Sequence, residues 1–242
     1  SGSPLAVYGM AAVFSLAALV LYARIRLKGA PLPVSAARRS GAMVFEGLRY
    51  VWHDKFVLGA LSLDLFAVLL GGATALLPVF ATQILHVGAV GFGLLSAAPA
   101  VGSAIVAIVI ARRPLRRRTG RYLFWCVAGF GVATIVFGIS RSFWLSFAAL
   151  AFAGGFDMVS VSIRGALVQL RTPNEVRGRV SAVENIFIGA SNQLGAFESG
   201  TLASFIGAAQ SVVFGGAATL VIIALWTLLF PALRRFDRLT HD

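Results

Sequence analysis

The sequence FDMVSVSIRGALVQL, residues 156–170, places an aspartate and an arginine in an otherwise apolar stretch. Asp157 and Arg164 are seven residues apart, which is close to two turns of α-helix, so they share one face about 10.5 Å apart along the axis. That separation is too long for an easy direct bond, and we expect each side chain to face another helix. Ionisable residues are expensive inside membrane spans and normally face a cavity or each other. The stretch therefore points to a bundle of membrane-spanning helices.

The composition of the whole chain agrees with this interpretation. Of its 242 residues 58% are hydrophobic and 12% are charged, whereas soluble domains carry roughly 25% charged residues. A membrane-spanning helix needs about 20 mostly apolar residues. Runs of this kind predict an all-α integral membrane protein with about seven spans, near residues 4–23, 56–85, 92–111, 122–140, 143–170, 180–206 and 211–231.

Basic residues alternate between the connecting segments. Residues 24–55 hold seven Lys and Arg residues, 112–121 hold six and 171–179 hold three, whereas the segment HVGAVG after the second span holds none. This is the positive-inside pattern, and it predicts a multi-pass protein of the cell (inner) membrane with an external N-terminus and a cytoplasmic C-terminus. Anionic membrane lipids are the expected partners of this charge. Nucleic acid is excluded because no single basic face with stacking aromatics is evident.

The order of the predicted spans suggests two repeats. Residues 56–140 and 143–231 supply three spans each, and an odd number of spans gives the two units opposite orientations, as in many transporters. Pro78 and Pro99 fall inside spans, where a proline tends to kink the helix. Before the repeats, the helical spacing of five apolar residues predicts one apolar helix face: Val44, Phe45, Leu48, Val51 and Trp52. This face indicates either a helix lying on the cytoplasmic leaflet or a linker helix packed on protein.

Five ionisable residues fall within the apolar spans: Asp64, Asp157, Arg164, Glu184 and Glu198. Counted from the cytoplasmic helix ends, Asp64 and Arg164 lie at the same depth, so Asp64 is the first expected counter-ion of Arg164 and Glu184 the second. Asn192 flanks a polar stripe formed by Glu184, Ser191, Gly195 and Glu198. We interpret Asp157, near mid-depth, as a proton-exchanging functional group and Glu184 as structural; the alternative is a set of structural ion pairs.

Three stretches resemble the major facilitator superfamily, in particular the enterobactin-exporter-like branch known as transmembrane secretion effectors. They are LDLFAVLLGGATALLPVFA (63–81), FDMVSVSIRGALVQLRTPNEVRGRVSAV (156–183) and SNQLGAFESG (191–200). The resemblance implies a twelve-helix protein of which residues 1–25 are the last helix of a missing N-terminal half. Residues 26–55 would then be the central cytoplasmic loop, 56–231 the C-terminal six-helix bundle and 232–242 a cytoplasmic tail. The opening SGSP, without Met, agrees with the expectation of a longer protein.

The resemblance also suggests roles for particular residues. The superfamily's loop signature G-x-x-x-D-R-x-G-R is matched by Arg118, Gly120 and Arg121, to which it assigns gating, but Arg113 and Arg117 replace its Gly and Asp. In such proteins the seventh and tenth helices line the transport cavity, which implies that Asp64, Asp157 and Arg164 face it. Asn192, Glu198 and Pro78 complete the residues that we assign to the pathway or its gating.

The function implied is secondary active transport, with proton-coupled efflux of small organic molecules such as siderophores or drugs. A seven-helix receptor, a scaffold or an inactive truncated fragment remains as the alternative. A membrane enzyme is not expected, because His53, His86 and His241 are scattered and no His or Cys spacing suits a metal. No cofactor and no metal are expected either.

Overall fold

The computed structural model describes residues 4–24, 40–113 and 119–234. All regular elements in these ranges are helical. The helices are α1 (Pro4–Arg24), α2 (Ser40–His53), α3 (Lys55–Leu70), α4 (Leu77–Val79), α5 (Ala89–Arg112), α6 (Thr119–Ile139), α7 (Phe143–Arg171), α8 (Asn174–Ile206), α9 (Ala208–Leu229) and α10 (Pro231–Arg234). A 3-10 turn, Ala73–Leu76, precedes α4, and a π-helical segment, Phe80–Ile84, follows it. The chain divides into two compact units, Ser1–Arg39, which contains α1, and Ser40–Asp242, which contains the other helices.

Within the described ranges, five helical segments are long and apolar enough to cross a membrane. They are Lys55–Ile84, Ala89–Arg112, Thr119–Ile139, Phe143–Arg171 and Ala208–Leu229. The predicted spans in α1 and α8 are not among the five. The 33 residues of α8 extend for about 50 Å, which exceeds the hydrocarbon thickness of about 30 Å. The polar residues of α8, including Glu184 and Glu198, lower its mean hydropathy. The spans predicted in α1 and α8 stay predictions.

The second unit contains the two predicted groups of three long helices. The segment from α3 to the π-helix, α5 and α6 form the first group, and α7, α8 and α9 form the second. The groups interlock, since α5 packs on α7, α6 packs on both α7 and α9, and α3 packs on α8 and α9. One buried cluster is centred on Leu63, Leu123 and Leu167. A second contains Phe80 and Phe137, whose rings stack with centroids 4.4 Å apart.

The first long segment of the bundle is broken after Leu70, and Gly71 and Gly72 separate α3 from the 3-10 turn. A helix end exposes carbonyl groups that need close neighbours in a membrane. Glycines on α8 and α9 provide that close approach: a Cβ on Gly195 would lie 2.7 Å from the Leu69 carbonyl oxygen, and one on Gly215 would overlap that of Leu70. The end of α3 therefore packs closely against glycines of α8 and α9.

The two prolines of the predicted spans have different surroundings. Pro78 lies in the first turn of α4, directly after the 3-10 turn Ala73–Leu76 and shortly before the π-helical segment Phe80–Ile84, so the helix type changes on both sides of it. The interruption of the helix lies earlier, at Gly71 and Gly72, where glycine lowers the helix propensity of the chain. Pro99 lies inside α5 as predicted.

The apolar face predicted for α2 is divided between two environments. Val51 is fully buried and packs with residues of α3 and α8, with Leu48 beside it. Gly47 permits the contact, because a Cβ there would lie 2.6 Å from the Arg179 carbonyl oxygen. Phe45 and Trp52 are 74% and 68% exposed. The helix therefore packs on protein along one side, as one of the two predicted alternatives has it, while Phe45 and Trp52 stay outside that contact.

Two glycines on α7 give a test of the close packing between α5 and α7. A Cβ at Gly154 would overlap the Pro99 carbonyl, whereas a Cβ at Gly165 would meet nothing within 4 Å. Gly154→Ala is expected to lower the free energy of unfolding by about 1–3 kcal/mol, the usual cost of overpacking. Gly165→Ala, the same change on the same helix, should stay within about 0.5 kcal/mol of the parent protein. Unfolding in mixed detergent micelles measures both, and equal losses would contradict the packing described here.

The predicted orientation is tested by placing single cysteines at the two ends of α5. Ala89 and Arg113 are both exposed, and the 24 residues between Ala89 and Arg112 extend for about 36 Å. In a Cys126→Ser background, a membrane-impermeant maleimide is expected to label Ala89→Cys in intact cells and Arg113→Cys only after the membrane is opened. Labelling of both positions from the same side would contradict the predicted topology.

Candidate functional site

A buried group of three charged residues connects α3, α7 and α8. Arg164 of α7 is 2% exposed and forms an ion pair with Asp64 of α3, which is 9% exposed. The Arg164 Nε atom also lies 3.5 Å from the Glu184 Oε1 atom of α8. The structure thus brings together Arg164 and both of the counter-ions predicted from depth. Two carboxylates around one guanidinium leave this group with a formal charge of −1.

The neighbouring residues explain why these side chains meet. Ile163 and Leu167 of α7 are buried in the same cluster as Leu63 of α3, which fixes the two helices at the level of the ion pair. Helix α9 also contacts α3 near the ion pair, where the Trp226 Nε1–H group donates a hydrogen bond of 3.2 Å to the Ser62 hydroxyl. Arg164 and Asp64 are therefore held by packing on both sides of the charged pair.

A cavity of about 190 Å³ lies beside the break that follows α3. It is bounded by that break and by residues of α3, α5, α6, α7 and α8, and most of its lining is apolar. The polar side chains that line it are Thr74, Thr134, Asp157 and Asn192. The Thr134 hydroxyl is engaged within its own helix, where it donates a hydrogen bond of 2.9 Å to the Phe130 carbonyl oxygen. Asp157 supplies the single carboxylate of the lining.

Asp157 differs from the other acidic residues of the spans in having no direct partner. Among the residues that the structure describes, none forms a hydrogen bond or an ion pair with its side chain, and the same holds for Asn192. The charges of Asp64 and Arg164 act on Asp157 through space. Asp157 is half-buried, and its carboxylate is available to bind a proton or a ligand in this cavity.

The remaining predicted site residues lie outside the cavity lining. Asp64 and Arg164 are occupied by their ion pair and do not line this cavity, although the resemblance implied that they would. Glu198 is half-buried, and its Oε2 atom accepts a hydrogen bond of 3.3 Å from the Ser199 hydroxyl. Gly120 and Arg121 lie in the first turn of α6. Arg118 falls outside the described residues.

Some features of the site had no signal in the sequence analysis. The hydroxyl groups of Thr74 and Thr134 reach the cavity only because the chain breaks after α3 and α6 packs beside it, and isolated threonines in apolar runs are common. The ion pair between Glu46 of α2 and Arg179 of α8 was also missed. The Gly71–Gly72 dipeptide was the one available indication of the helix break.

A broken span, a buried ion triad and a cavity carboxylate without a direct partner among the described residues are features found in membrane transporters. Comparison with known families agrees: the model of the family described as transmembrane secretion effector matches residues 2–241. The chain belongs to this family, which is part of the major facilitator superfamily. The family is a transporter family rather than an enzyme family.

Curated relatives are exporters from enteric bacteria. The chain is 25% identical over 229 residues to the enterobactin exporter EntS of Citrobacter koseri, and equally similar to those of Escherichia coli and Shigella boydii. These alignments cover 95% of the chain and 54% of each relative. The chain thus spans about half the length of the curated relatives that it matches. Membership in this family identifies it as a multi-pass membrane protein of an efflux family.

Proposed function

We propose that the chain forms one half of a proton-coupled exporter of small organic molecules. The observation that supports this most strongly is the unpaired Asp157 carboxylate in the cavity beside the break in α3. A carboxylate with apolar surroundings and no counter-ion can lower the cost of its burial by taking up a proton. Asp157 is then the group that loads a proton from one side of the membrane and releases it to the other.

In this proposal the ion triad and the break have separate roles. Arg164, held by Asp64 and Glu184, joins three helices so that they move as one body. The interrupted segment at Gly71 and Gly72 borders the cavity and provides the place where the lining can change shape. Alternating access in such folds is a rocking of one helical half against another. A second six-helix half, as the lengths of the relatives suggest, would close the other side of the pathway.

The proposed orientation follows the distribution of basic residues. The segments 24–55, 112–121 and 171–179 would face the cytoplasm of the inner membrane, where anionic lipids attract Lys and Arg. Residues 1–25 would be the last span of the first half, 26–55 its cytoplasmic connection, 56–231 the bundle and 232–242 a cytoplasmic tail. Gly120 and Arg121, with Arg118, would belong to the cytoplasmic gate. Glu198 and Asn192 would extend the polar pathway above Asp157.

Everted membrane vesicles containing the full-length transporter test this function. A pH gradient, acid inside, is expected to drive accumulation of an amphipathic fluorescent dye, and a protonophore should abolish the accumulation. Vesicles from cells lacking the protein serve as the control. Accumulation that persists without a pH gradient, or that depends on ATP, would contradict proton coupling. No accumulation above the control with any amphipathic dye would contradict efflux itself.

A further inference from the structure

We propose that the substrate bound at this cavity is an amphipathic organic cation, a protonated amine or a quaternary ammonium compound, and that Asp157 is its counter-ion. The inference rests on the proposed transport function and specifies its substrate class. It differs from what the names of the relatives suggest, since enterobactin exporters are named for a siderophore. The argument comes from the charges that this chain places in and around the cavity.

The cavity lining has a carboxylate but no positive charge. Asp157 is its ionisable residue, and none of the described residues that line it is Lys, Arg or His. An organic anion entering this space would meet a negative group of the same sign in apolar surroundings, where repulsion is strong. A cation would instead give Asp157 a counter-ion that none of the described residues supplies by direct contact.

Arg164, which lies inside a predicted span, does not make the cavity attractive to an anion. Arg164 is engaged by Asp64 and lies 3.5 Å from a carboxylate oxygen of Glu184, and it does not line the cavity. Its positive charge is thus already matched by two negative ones, so the triad adds no attraction for an anion. Among the described residues, neither the triad nor the cavity lining therefore offers an unmatched positive charge to an anion.

The other lining groups suit the remaining parts of such a ligand. The Asn192 side chain has no hydrogen-bond partner within the described part of the chain, and its carbonyl oxygen can accept from an ammonium N–H group. Phe130 and Leu150 are among the apolar residues that can contact a hydrocarbon or aromatic body. The volume of about 190 Å³ is below the roughly 300–1,000 Å³ typical of sites for drug-sized ligands. The cavity in this chain therefore binds the charged end of the ligand, and the rest of the ligand extends beyond it.

Occupation of Asp157 by a cation and by a proton is mutually exclusive. When an ammonium group binds the protonated residue, the carboxylic acid gives up its proton to water and the carboxylate becomes the partner of the ammonium ion. The single O–H bond is the bond that breaks, and no oxidant or further reactant is needed. Binding of the cation therefore releases one proton, which gives the substrate charge a direct role in exchange.

The test uses three dyes with one anilinonaphthalene scaffold that carries a trimethylammonium group, no charge or a sulfonate group. Equilibrium binding to the purified full-length transporter is measured by fluorescence. The cationic dye is expected to bind at least about 10-fold more tightly than the sulfonate dye. Asp157→Asn should weaken binding of the cationic dye by about 10- to 100-fold, the effect of losing one charge-assisted contact, and leave the neutral dye unchanged.

Two further variants separate the role of Asp157 from a general effect of charge or folding. Asp157→Glu keeps the carboxylate and should retain the preference for the cation. Glu175→Gln removes one negative charge from an exposed position near the start of α8 and should alter no affinity. Binding of the neutral dye by Asp157→Asn shows that this variant is folded.

Several results would overturn the inference. They are equal or tighter binding of the sulfonate dye, no saturable binding of the cationic dye, and unchanged cation affinity in Asp157→Asn. The outcome is independent of the vesicle assay. If vesicles accumulate the sulfonate dye in response to the pH gradient, efflux stands and the substrate class is wrong. If the cationic dye binds through Asp157 but vesicles accumulate no dye, the proposed cation site is supported and the proposed transport function is wrong.

Discussion

Arg164→Ala is expected to lower the free energy of unfolding by about 3–5 kcal/mol. The substitution leaves Asp64 and Glu184 buried without their shared counter-ion, and an uncompensated buried charge is costly. Asp64→Ala should cost a comparable amount, although less if Glu184 partly replaces the lost partner. Unfolding of the purified protein in mixed detergent micelles measures these changes.

The double variant Asp64→Ala, Arg164→Ala should be more stable than the sum of the two single losses predicts, because removing both partners removes the unpaired charge. Recovery should be partial, since Glu184 is then left alone, and adding Glu184→Gln should complete it. The exposed ion pair between Glu46 and Arg179 provides the control: Arg179→Ala should cost at most about 1 kcal/mol. Strictly additive losses at Arg164 and Asp64 would contradict their energetic partnership.

Asp157→Asn is expected to abolish accumulation against a gradient in everted vesicles, down to the level of vesicles without the protein. The amide has nearly the same shape as the carboxylate but cannot bind and release a proton near neutral pH. Movement of a neutral dye down its own gradient should continue, because the cavity and its other lining residues are unchanged. The free energy of unfolding should not fall below that of the parent protein, since a half-buried carboxylate without a partner among the described residues has been removed.

A matched substitution distinguishes loss of the proton carrier from a general effect on the cavity. Asn192→Ala alters the second polar side chain that lacks a partner in the described structure, but it leaves the carboxylate in place. It should weaken ligand binding while the pH gradient still drives accumulation at high dye concentration. If Asp157→Asn retains full gradient-driven accumulation, Asp157 has no part in coupling.

The sequence predicted the features that depend on depth along a helix. The rise per residue is fixed, so counting from the cytoplasmic ends placed Asp64 and Arg164 at one level, and the ion pair confirms that prediction. The cost of burying a guanidinium, which does not lose its proton in proteins, made a counter-ion necessary. Apolar runs of sufficient length predicted an all-α membrane protein with about seven spans, and the family match confirms the fold class.

Other features depend on packing between helices, which a single sequence does not specify. The break after α3, at Gly71 and Gly72, was not predicted, and there glycines on α8 and α9 approach the end of the helix. The apolar face of α2 divides because α8 covers Val51 and leaves Phe45 and Trp52 exposed. The lack of a direct partner for Asp157 among the described residues became visible only when its neighbours were known.

The measurement that most directly tests the role of Asp157 follows proton movement during substrate exchange. Proteoliposomes containing the full-length transporter and an internal pH-sensitive dye are given an outward gradient of the cationic anilinonaphthalene dye. The account predicts that the parent protein acidifies the lumen as the cationic dye leaves. At a dye concentration raised to offset its weaker binding, Asp157→Asn is expected to permit dye movement without any change in internal pH. Equal acidification by the parent protein and by Asp157→Asn would contradict the assignment of Asp157 as the proton-carrying group.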